Sequence, residues 1–324
     1  MPTYPFHLRP ATPDDLDTIL EVCSAALNWH DPIFDRQLFE WKHLSNPFGT
    51  SLLLVAEDEI GIAAVRPLMR WRFRNGSGEA VEAARAVDTA THPRAQGKGL
   101  FRQLTEMGLE ELSDPGSAPS ADLIFNTPNP QSLAGYLKMG WVERGNVAFG
   151  FSFRSPVGLA KLARSRTRAD KRSIEIPHVG ISVQDGLALL DQQDPCPGRT
   201  TGPGALHTDH SIDSLRWRYV DAPISYRFLP GPDASGIIVR LRQRGRAREL
   251  VVAQRCGEIG DVSAGRAVRN AMRNSKADHC VGWTGLGATF TSAKLGPTLA
   301  VRSLSDRVPS SAWFNWQPGD IELF

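Results

Sequence analysis

The sequence lacks long hydrophobic runs, and its apolar stretches, such as SLLLVA at Ser51–Ala56, are far shorter than the roughly 18 residues that span a bilayer. The opening segment MPTYPFHLRP does not combine a charged region with a following apolar region, as a secretory signal would. We therefore expect a soluble cytoplasmic protein that has no membrane partner.

Cysteine and net charge are also scarce. The four cysteines, Cys23, Cys196, Cys256 and Cys280, show neither CxxC nor Cys/His spacing, which argues against a disulfide framework or a zinc site and favours a reducing compartment. We expect no bound metal. The 37 basic and 35 acidic residues nearly cancel, so overall charge does not favour nucleic acid as a partner.

The chain does have enough apolar residues for a large core: 324 residues at 41% hydrophobic content suggest two domains. Thr12, Pro13 and Asp15 have the spacing of a capped helix start, and the apolar residues after them recur at helical spacing. Alternating apolar runs between residues 51 and 91, separated by turn residues, predict an antiparallel meander. Together these patterns predict a mixed α/β fold.

A glycine-containing turn, PRAQGKGLFRQL at Pro93–Leu104, follows the meander and opens a helix. Leu100 stands where a Walker A loop needs Lys, and Arg102 stands where a dinucleotide fingerprint needs a small residue, so neither motif is present. Glycines at 97 and 99 allow successive N–H groups to face one concavity at a helix N-terminus, where they bind phosphate or pyrophosphate. An ordinary exposed turn that caps the helix is the alternative.

The order of strand, RAQGKG turn, helix and strand, followed by TPNPQSLAGYLKMGW at Thr127–Trp141, resembles the GNAT superfamily of acyl-CoA-dependent N-acyltransferases. The resemblance covers about residues 5 to 150. It implies that the turn holds the CoA pyrophosphate, that the strand before the turn bonds the pantetheine, and that Tyr136 protonates the departing thiolate. The residues so implied for acyl-CoA are Val87, Thr89, Ala90, Thr91, Arg94, Gln96, Gly97, Lys98, Gly99 and Leu100.

Two further site assignments come from position along the chain. Asp88 lies on the strand that enters the turn and is the preferred general base, although a hydrogen-bonded structural carboxylate is an equal alternative. Asn126 and Asn129 bracket the end of the next strand and are predicted to contact CoA or substrate, or else to build a turn. Weaker candidates for the base are Glu82, His43 and His92.

The second half of the chain echoes the first. FEWKHLSNPFG at Phe39–Gly49 resembles LRWRYVDAPIS at Leu215–Ser225, and RWRFRNG at Arg70–Gly76 resembles RLRQRG at Arg240–Gly245, in the same order. This favours a duplicated unit. The expected organisation is an acyl-CoA-binding N-terminal domain at 1–152, a basic linker with seven Lys or Arg residues at 153–175, and a degenerate C-terminal domain at 176–324.

In the second domain, QRCGEIGDVSAG at Gln254–Gly265 replaces the glycine turn, and its acids Glu258 and Asp261 would repel a pyrophosphate. The expected fold class is therefore α/β with two GNAT-like lobes, each a twisted, mostly antiparallel mixed sheet flanked by helices. Alternating arginines from Arg240 to Arg248 suggest either a phosphate-recognising wall or a charged hairpin edge.

The resemblance implies an enzyme that moves an acyl group, most simply acetyl, from acyl-CoA to a small-molecule amine. We expect an amino sugar or a nucleotide-linked amino sugar as the acceptor. A thiol-cofactor precursor, an antibiotic or another small amine is the alternative acceptor. A CoA-sensing or scaffolding module is the alternative that is not an enzyme.

Overall fold

The computed structural model describes residues 6–116, 120–165, 167–196, 204–283, 290–292, 296–309 and 311–322, so Arg166 of the expected linker lies outside the described residues. The strands are β1 His7–Pro10, β2 Leu52–Asp58, β3 Gly61–Asn75, β4 Ala80–Ala86, β5 Ala90–Thr91, β6 Leu123–Asn126, β7 Val142–Asn146, β8 Phe149–Phe153, β9 Ala205–Thr208, β10 Arg227–Pro230, β11 Gly236–Arg244, β12 Ala247–Cys256, β13 His279–Gly282, β14 Phe290–Ser292, β15 Thr298–Ser303 and β16 Trp313–Asn315. The helices are α1 Leu16–Leu27, α2 Pro32–His43, α3 Leu100–Ser113, α4 Pro130–Lys138, α5 Pro156–Arg164, α6 Val183–Ala188, α7 Ile212–Tyr219, α8 Asp261–Asn274 and α9 Pro318–Ile321. Two 3-10 turns, Pro13–Asp15 and Pro93–Ala95, complete the elements.

In the part of the chain that the structure describes, every helix is too short or too polar to cross a membrane. Within the same ranges, His, Cys, Asp and Glu side chains form no group of three or more that could hold a metal ion.

The predicted helix start is confirmed. Thr12 and Asp15 form a reciprocal capping box around the 3-10 turn, and α1 follows directly. Ile19, Val22 and Cys23 of α1 are buried in an apolar cluster with residues of β2, β3 and β5. Helix α2 was not predicted, although Asp31 caps it by accepting a bond from the Phe34 N–H and Pro32 occupies its first turn.

The chain divides into two compact units. Unit 1 comprises Met1–Gly145, Gly202–Leu206 and Thr298–Trp313, and unit 2 comprises Asn146–Thr201, His207–Pro297 and Phe314–Phe324.

Unit 1 is built on a sheet with the strand order β1-β2-β3-β4-β6-β15-β7, in which β5 also pairs with β3. Strands β2, β3 and β4 form the predicted antiparallel meander, and β6 then lies parallel to β4 after the α3 crossover. Apolar side chains of α3, among them Leu104 and Leu109, pack in the core against the sheet.

Unit 2 has a sheet with the order β10-β11-β12-β13-β8-β14. Its first three strands are antiparallel, α8 follows, and β13 returns parallel to β12. This repeats the sequence of elements in unit 1, where α2 precedes β2, β3 and β4, and where α3 leads to β6. The strand orders thus agree with the duplication inferred from the echoed segments.

The unit boundaries differ from the expected division at residue 152. Strand β8, from the first half of the chain, pairs with β13 of unit 2, whereas β15, from the second half, pairs with β6 of unit 1. Part of the segment expected to be a basic linker forms α5, which belongs to unit 2. Long-range strand pairing, which leaves no local signal in the sequence, sets these boundaries.

Candidate active site

The glycine turn joins β5 to α3 by a backbone that only glycine adopts readily. Gly97 and Gly99 have φ angles of +75° and +77°, and Gly99 is the N-cap of α3. No atom lies within 4 Å of where a Cβ at Gly97 would stand. The positive φ angles therefore shape the turn, while the space above it stays open.

Five consecutive N–H groups, those of residues 97–101, donate no hydrogen bond to any residue that the structure describes. They lie at the start of α3, a helix of 14 residues, where the helix dipole adds partial positive charge. Unpaired N–H groups at a helix N-terminus form an anion site, so the local structure suits a phosphate or pyrophosphate.

Arg94 forms contacts that hold the glycine turn in place. Its guanidinium forms an ion pair with Asp58 and donates to the carbonyl of Gly61 at 2.9 Å, at the tip of the β2–β3 hairpin. The side chain is therefore engaged in anchoring the turn to the sheet. Lys98 is exposed and Leu100 is buried in the core, so of these two only Lys98 offers a side chain at the surface.

Two adjoining clefts lie beside the turn. The strand cleft, of about 420 Å³, is lined by Ala26, Leu27, Thr89, Ala90, Thr91, Gln96, Phe101, Gln131, Ser132 and Gly135. The turn cleft, of about 570 Å³, is lined by Thr91, Ala95, Gln96, Gly97, Lys98, Gly99, Leu100, Phe101 and Gln131. The structure thus brings together most of the residues that the resemblance implies for acyl-CoA.

A bulge in the sheet forms one wall of the strand cleft. On β3, residues 66 and 67 lie between the pairs Leu68↔Ala86 and Val65↔Ala90, and three residues, 87–89, lie opposite them. The extra residue breaks the ladder, and Asp88 takes a φ of +48°. The pairing of β4 with β6 ends at Arg85↔Phe125, and β5 then pairs with β3 instead. This departure of the chain from β6 leaves the residues from Thr89 to Thr91 along the cleft.

Asp88 lies in a buried charge cluster below the bulge. Its side chain is 9% exposed, its carboxylate forms an ion pair with Lys42, and His43 Nε2 lies 3.0 Å from the same oxygen. Burial opposes ionisation, but the Lys42 ammonium and the bond from His43 outweigh it and hold the pKa of Asp88 well below its usual range. Burial lowers the pKa of His43, so its ring is neutral at pH 7 and Nδ1 faces Ser51 Oγ at 2.8 Å.

This geometry argues against Asp88 as the general base. A base is most effective when its pKa is close to the working pH, and the Asp88 carboxylate is held by a cation far from that condition. Asp88 does not line either cleft. Its contacts favour the structural alternative, in which the carboxylate anchors the bulge to the end of α2.

Tyr136 is 3% exposed and lies on α4, next to the cleft residue Gly135. Its ring packs edge-on against Phe101, with centroids 5.2 Å apart, and lies tilted against Trp141, with centroids 5.1 Å apart. The hydroxyl oxygen accepts a hydrogen bond of 2.8 Å from Arg66 Nη1. The phenol is therefore fixed behind Phe101 and Gly135, which line the strand cleft, while Tyr136 itself is not one of the lining residues.

The two asparagines differ in their roles. Asn129 is the N-cap of α4, and its side chain accepts from the Ser132 N–H at 2.8 Å, as the turn alternative expects. Asn126 is buried at the end of β6, and its Oδ1 has no partner among the described residues. Neither asparagine lines a cleft, and neither does Val87.

The weaker base candidates also have structural partners. Glu82 forms an ion pair of 2.7 Å with Arg72, and His92 caps the 3-10 turn by accepting from the Arg94 N–H. Among the residues that line the strand cleft, none is Asp, Glu or His.

Sequence reasoning missed Arg66, Lys42 and the cleft residue Gln131. Arg66 is the centre of the contacts to Tyr136 and Thr89. A usable signal was present, since a single arginine interrupts the apolar run IGIAAV–PLM in the middle of a predicted strand.

The corresponding turn of unit 2 differs from that of unit 1. A Cβ at Gly257, where φ is +62°, would stand 2.8 Å from the carbonyl oxygen of Ala234, whereas no atom lies within 4 Å of a Cβ at Gly260, the N-cap of α8. Asp261 begins α8 and pairs with Arg255 at 2.8 Å. The Asp261 carboxylate at the start of α8 would repel a phosphate or pyrophosphate, which is the kind of anion that suits the turn of unit 1.

Three arginines of the arginine-rich hairpin of unit 2 pair with two carboxylates. Glu322 accepts from Arg240 and Arg242, and Glu249 accepts from Arg242 and Arg244. These pairs flank a cavity of about 460 Å³ that is otherwise lined mainly by apolar side chains. The contacts agree with a charged hairpin and leave the phosphate-recognising wall without support.

Comparisons with known proteins agree with the geometry of unit 1. A family model described as an acetyltransferase (GNAT) domain matches residues 7–143. No curated protein matches the sequence.

Solved structures resemble nearly the whole chain. A GCN5-related N-acetyltransferase from Anabaena variabilis is 13% identical with a TM-score of 0.59, and the match covers 93% of this chain and 73% of that one. A GCN5-related N-acetyltransferase from Kribbella flavida is 13% identical with a TM-score of 0.55, covering 93% and 71%. Eis1 from Mycobacterium abscessus is 12% identical with a TM-score of 0.54, covering 93% and 74%. At these identities the likeness shows the fold alone. Together with the family match, it leads to one assignment: residues 7–143 form a GNAT acetyltransferase domain, and the chain is an acyl-CoA-dependent N-acyltransferase.

Proposed function

We propose that unit 1 carries the whole reaction: the glycine turn binds the diphosphate of acyl-CoA, the strand cleft holds the pantetheine and acyl group, and Tyr136 protonates the leaving sulfur. The observation that carries the proposal is the row of five N–H groups at residues 97–101, which have no acceptor in the described part of the chain and lie at two adjoining clefts. A diphosphate at a helix N-terminus gains both hydrogen bonds and the helix dipole.

The residues of the strand cleft suit an extended amide chain. Thr89, Thr91 and Gln96 supply polar groups, while Ala26, Leu27 and Phe101 supply apolar walls. Acyl-CoA provides a thioester carbonyl that an amine can attack. The chain then has to orient the donor, exclude water and deliver one proton to sulfur.

Tyr136 is the residue that we assign to the proton. It lies beside the cleft with its ring fixed between Phe101 and Trp141, and fixed side chains keep catalytic atoms in place. No described carboxylate or imidazole lines the strand cleft, so we propose that the amine enters as the free base or gives its proton to water.

We propose that unit 2 does not bind CoA, because its turn carries the carboxylate of Asp261 at the helix start. A single site per chain is therefore expected. Titration with acetyl-CoA tests this count, and a stoichiometry of two would contradict it.

For the acceptor we propose a small-molecule primary amine. An amino sugar remains our specific hypothesis, but the ion pairs of Arg240, Arg242 and Arg244 weaken the electrostatic argument for a nucleotide-linked form. These two acceptor hypotheses are distinguished by comparing kcat/KM for a free amino sugar and for its nucleotide-linked form at two ionic strengths. A salt-sensitive advantage for the linked form would restore that hypothesis, and equal rates would leave the free amine.

The experiment that tests the activity is a screen of primary amines with several acyl-CoAs, read by release of free CoA thiol. All four cysteines of the chain are buried, which keeps the background of a thiol reagent low. Amine-dependent thiol release is the expected result. Tight acyl-CoA binding without thiol release for any amine would favour a CoA-sensing role instead.

A further inference from the structure

Arg66 is an unusual residue in the core of unit 1. It lies in the middle of β3, opposite the bulge at residues 87–89, and it is fully buried. Its Nη1 donates to Tyr136 Oη at 2.8 Å and to Thr89 Oγ1 at 2.7 Å. The guanidinium also lies over the rings of Phe101 and Tyr136, at 5.2 and 5.3 Å from their centroids.

The guanidinium has no carboxylate partner among the residues that the structure describes, and its Nε and Nη2 are buried without a hydrogen-bond acceptor there. Two other buried cations are compensated, since Lys42 pairs with Asp88, and Arg240 pairs with Glu322 at 2.8 Å. Burying an uncompensated charge lowers the stability of the fold, and in proteins such buried charges occur mainly at functional sites.

The direction of the Arg66–Tyr136 bond determines where the phenol proton points. A guanidinium can only donate, so the Tyr136 oxygen accepts and its own hydrogen is not used on Arg66. The hydrogen is left for another acceptor. Once the phenol has given it up, the resulting phenolate faces a cation at hydrogen-bond distance in a buried site, where opposite charges attract strongly.

We propose that Arg66 is a positioning residue for the acid step: it holds the Tyr136 hydroxyl with its proton directed away from the guanidinium and balances the phenolate that forms. The proposal rests on the function assigned above. In the step, the amine nitrogen forms a bond to the thioester carbonyl carbon and the carbon–sulfur bond breaks. The electron pair of the broken bond stays on sulfur, and sulfur takes the Tyr136 proton. The phenolate recovers a proton from water, which has received one from the attacking nitrogen, so no further reactant is needed.

Arg66 also contacts Thr89 and Phe101 of the strand cleft, and a purely structural role would slow the enzyme whether or not Tyr136 has a hydroxyl. A double-mutant cycle separates the two roles. Arg66→Met is made in the wild type and in Tyr136→Phe, and kcat and KM for acetyl-CoA are measured with saturating amine. Arg85→Met is the matched control, because Arg85 is equally buried in unit 1 and lies over the rings of Trp71 and Phe125.

We expect Arg66→Met to lower kcat by roughly 10- to 100-fold in the wild type, with KM changed by less than about threefold, and to lower it by less than about threefold in Tyr136→Phe. Arg85→Met should lower thermal stability while leaving kcat of the folded protein within about twofold. Equal losses of kcat in both backgrounds, or no loss in the wild type, would overturn the proposal.

If Arg66→Met does not fold, Arg66→Lys and Arg66→Gln make the same comparison. Lysine keeps the charge and glutamine keeps a neutral donor, so the lysine variant should retain more of kcat, and a more active glutamine variant would overturn the charge-balancing role. An inactive wild type would defeat the proposed function and this inference together. An active wild type with additive effects would defeat this inference alone.

Discussion

Replacing Asp88 by asparagine should lower the free energy of unfolding by about 3–5 kcal/mol at pH 7. The side chains of Asp88 and Lys42 are 9% and 1% exposed, so the neutral amide would leave a buried ammonium facing a group that cannot balance its charge. Breaking one partner of a buried pair has this magnitude because the remaining ion stays desolvated. The double variant Asp88→Asn/Lys42→Met should lose less unfolding free energy than the sum of the losses of the two single variants, since it removes both charges.

The sign of the pH dependence follows from the direction of the pKa shift. The pKa of Asp88 is lower in the folded protein than in the unfolded chain, so its contribution is present above the ordinary Asp value of about 4 and is lost as the pH falls below it. The gap in unfolding free energy between wild type and Asp88→Asn should therefore be constant from pH 7 to about 5 and narrow below about 4.

Urea unfolding monitored by tryptophan fluorescence measures this gap, and Asp17→Asn is the control, because Asp17 pairs with Arg36 but its side chain is 79% exposed. The control should change stability little. Turnover per folded molecule of Asp88→Asn should stay within about tenfold of wild type. An unfolding free energy equal to that of wild type, together with a kcat lower by 100-fold or more, would refute the structural role and restore Asp88 as the base.

Tyr136→Phe should lower kcat by roughly 10- to 1000-fold while acetyl-CoA affinity stays nearly unchanged, and an unchanged single-turnover rate would exclude Tyr136 as the acid. Burial lowers the pKa of His43, so its contribution to stability is lost as the pH falls below about 6.5. In His43→Gln, the slope of unfolding free energy between pH 5 and 6.5 should be smaller by up to about 1.4 kcal/mol per pH unit, and slopes equal to those of wild type would contradict this. Arg94→Met and Asp58→Asn should weaken acetyl-CoA binding to a similar extent in calorimetry, because the two side chains form one ion pair that anchors the turn. A loss confined to Arg94→Met would instead indicate that the guanidinium binds the ligand.

Local signals in the sequence were enough for much of unit 1. The capping box at Thr12 and Asp15, the alternating meander and the glycines at 97 and 99 each act within a few residues, so their structures follow from local backbone and burial preferences. The exchange of β8 and β15 between the two units could not be predicted, because strand pairing over more than 100 residues depends on the whole fold.

The same distinction applies to the site. The turn that suits a diphosphate was predictable from its spacing, whereas the contacts of Asp88 were not, since its partners Lys42 and His43 lie on a helix some 45 residues earlier in the chain. The sequence pattern around a carboxylate on a strand is the same whether the carboxylate acts as a base or forms an ion pair with a buried cation. Only the tertiary contacts distinguish the two.

The central claim is that the glycine turn of unit 1 binds the diphosphate of acyl-CoA, and a matched pair of glycine variants tests it. Gly97 and Gly78 have φ angles of +75° and +84°, and at both positions the space that a Cβ would take has no atom within 4 Å. Valine should therefore impose a similar backbone strain at both positions, but only Gly97 lies in the turn.

Calorimetric titration of wild type, Gly97→Val and Gly78→Val with acetyl-CoA, after thermal melting has confirmed that both variants are folded, is the most direct measurement. We expect at least a tenfold loss of affinity in Gly97→Val, about 1.4 kcal/mol of binding free energy or more, and wild-type affinity in Gly78→Val. Undiminished affinity in a folded Gly97→Val protein would contradict the assignment of the turn.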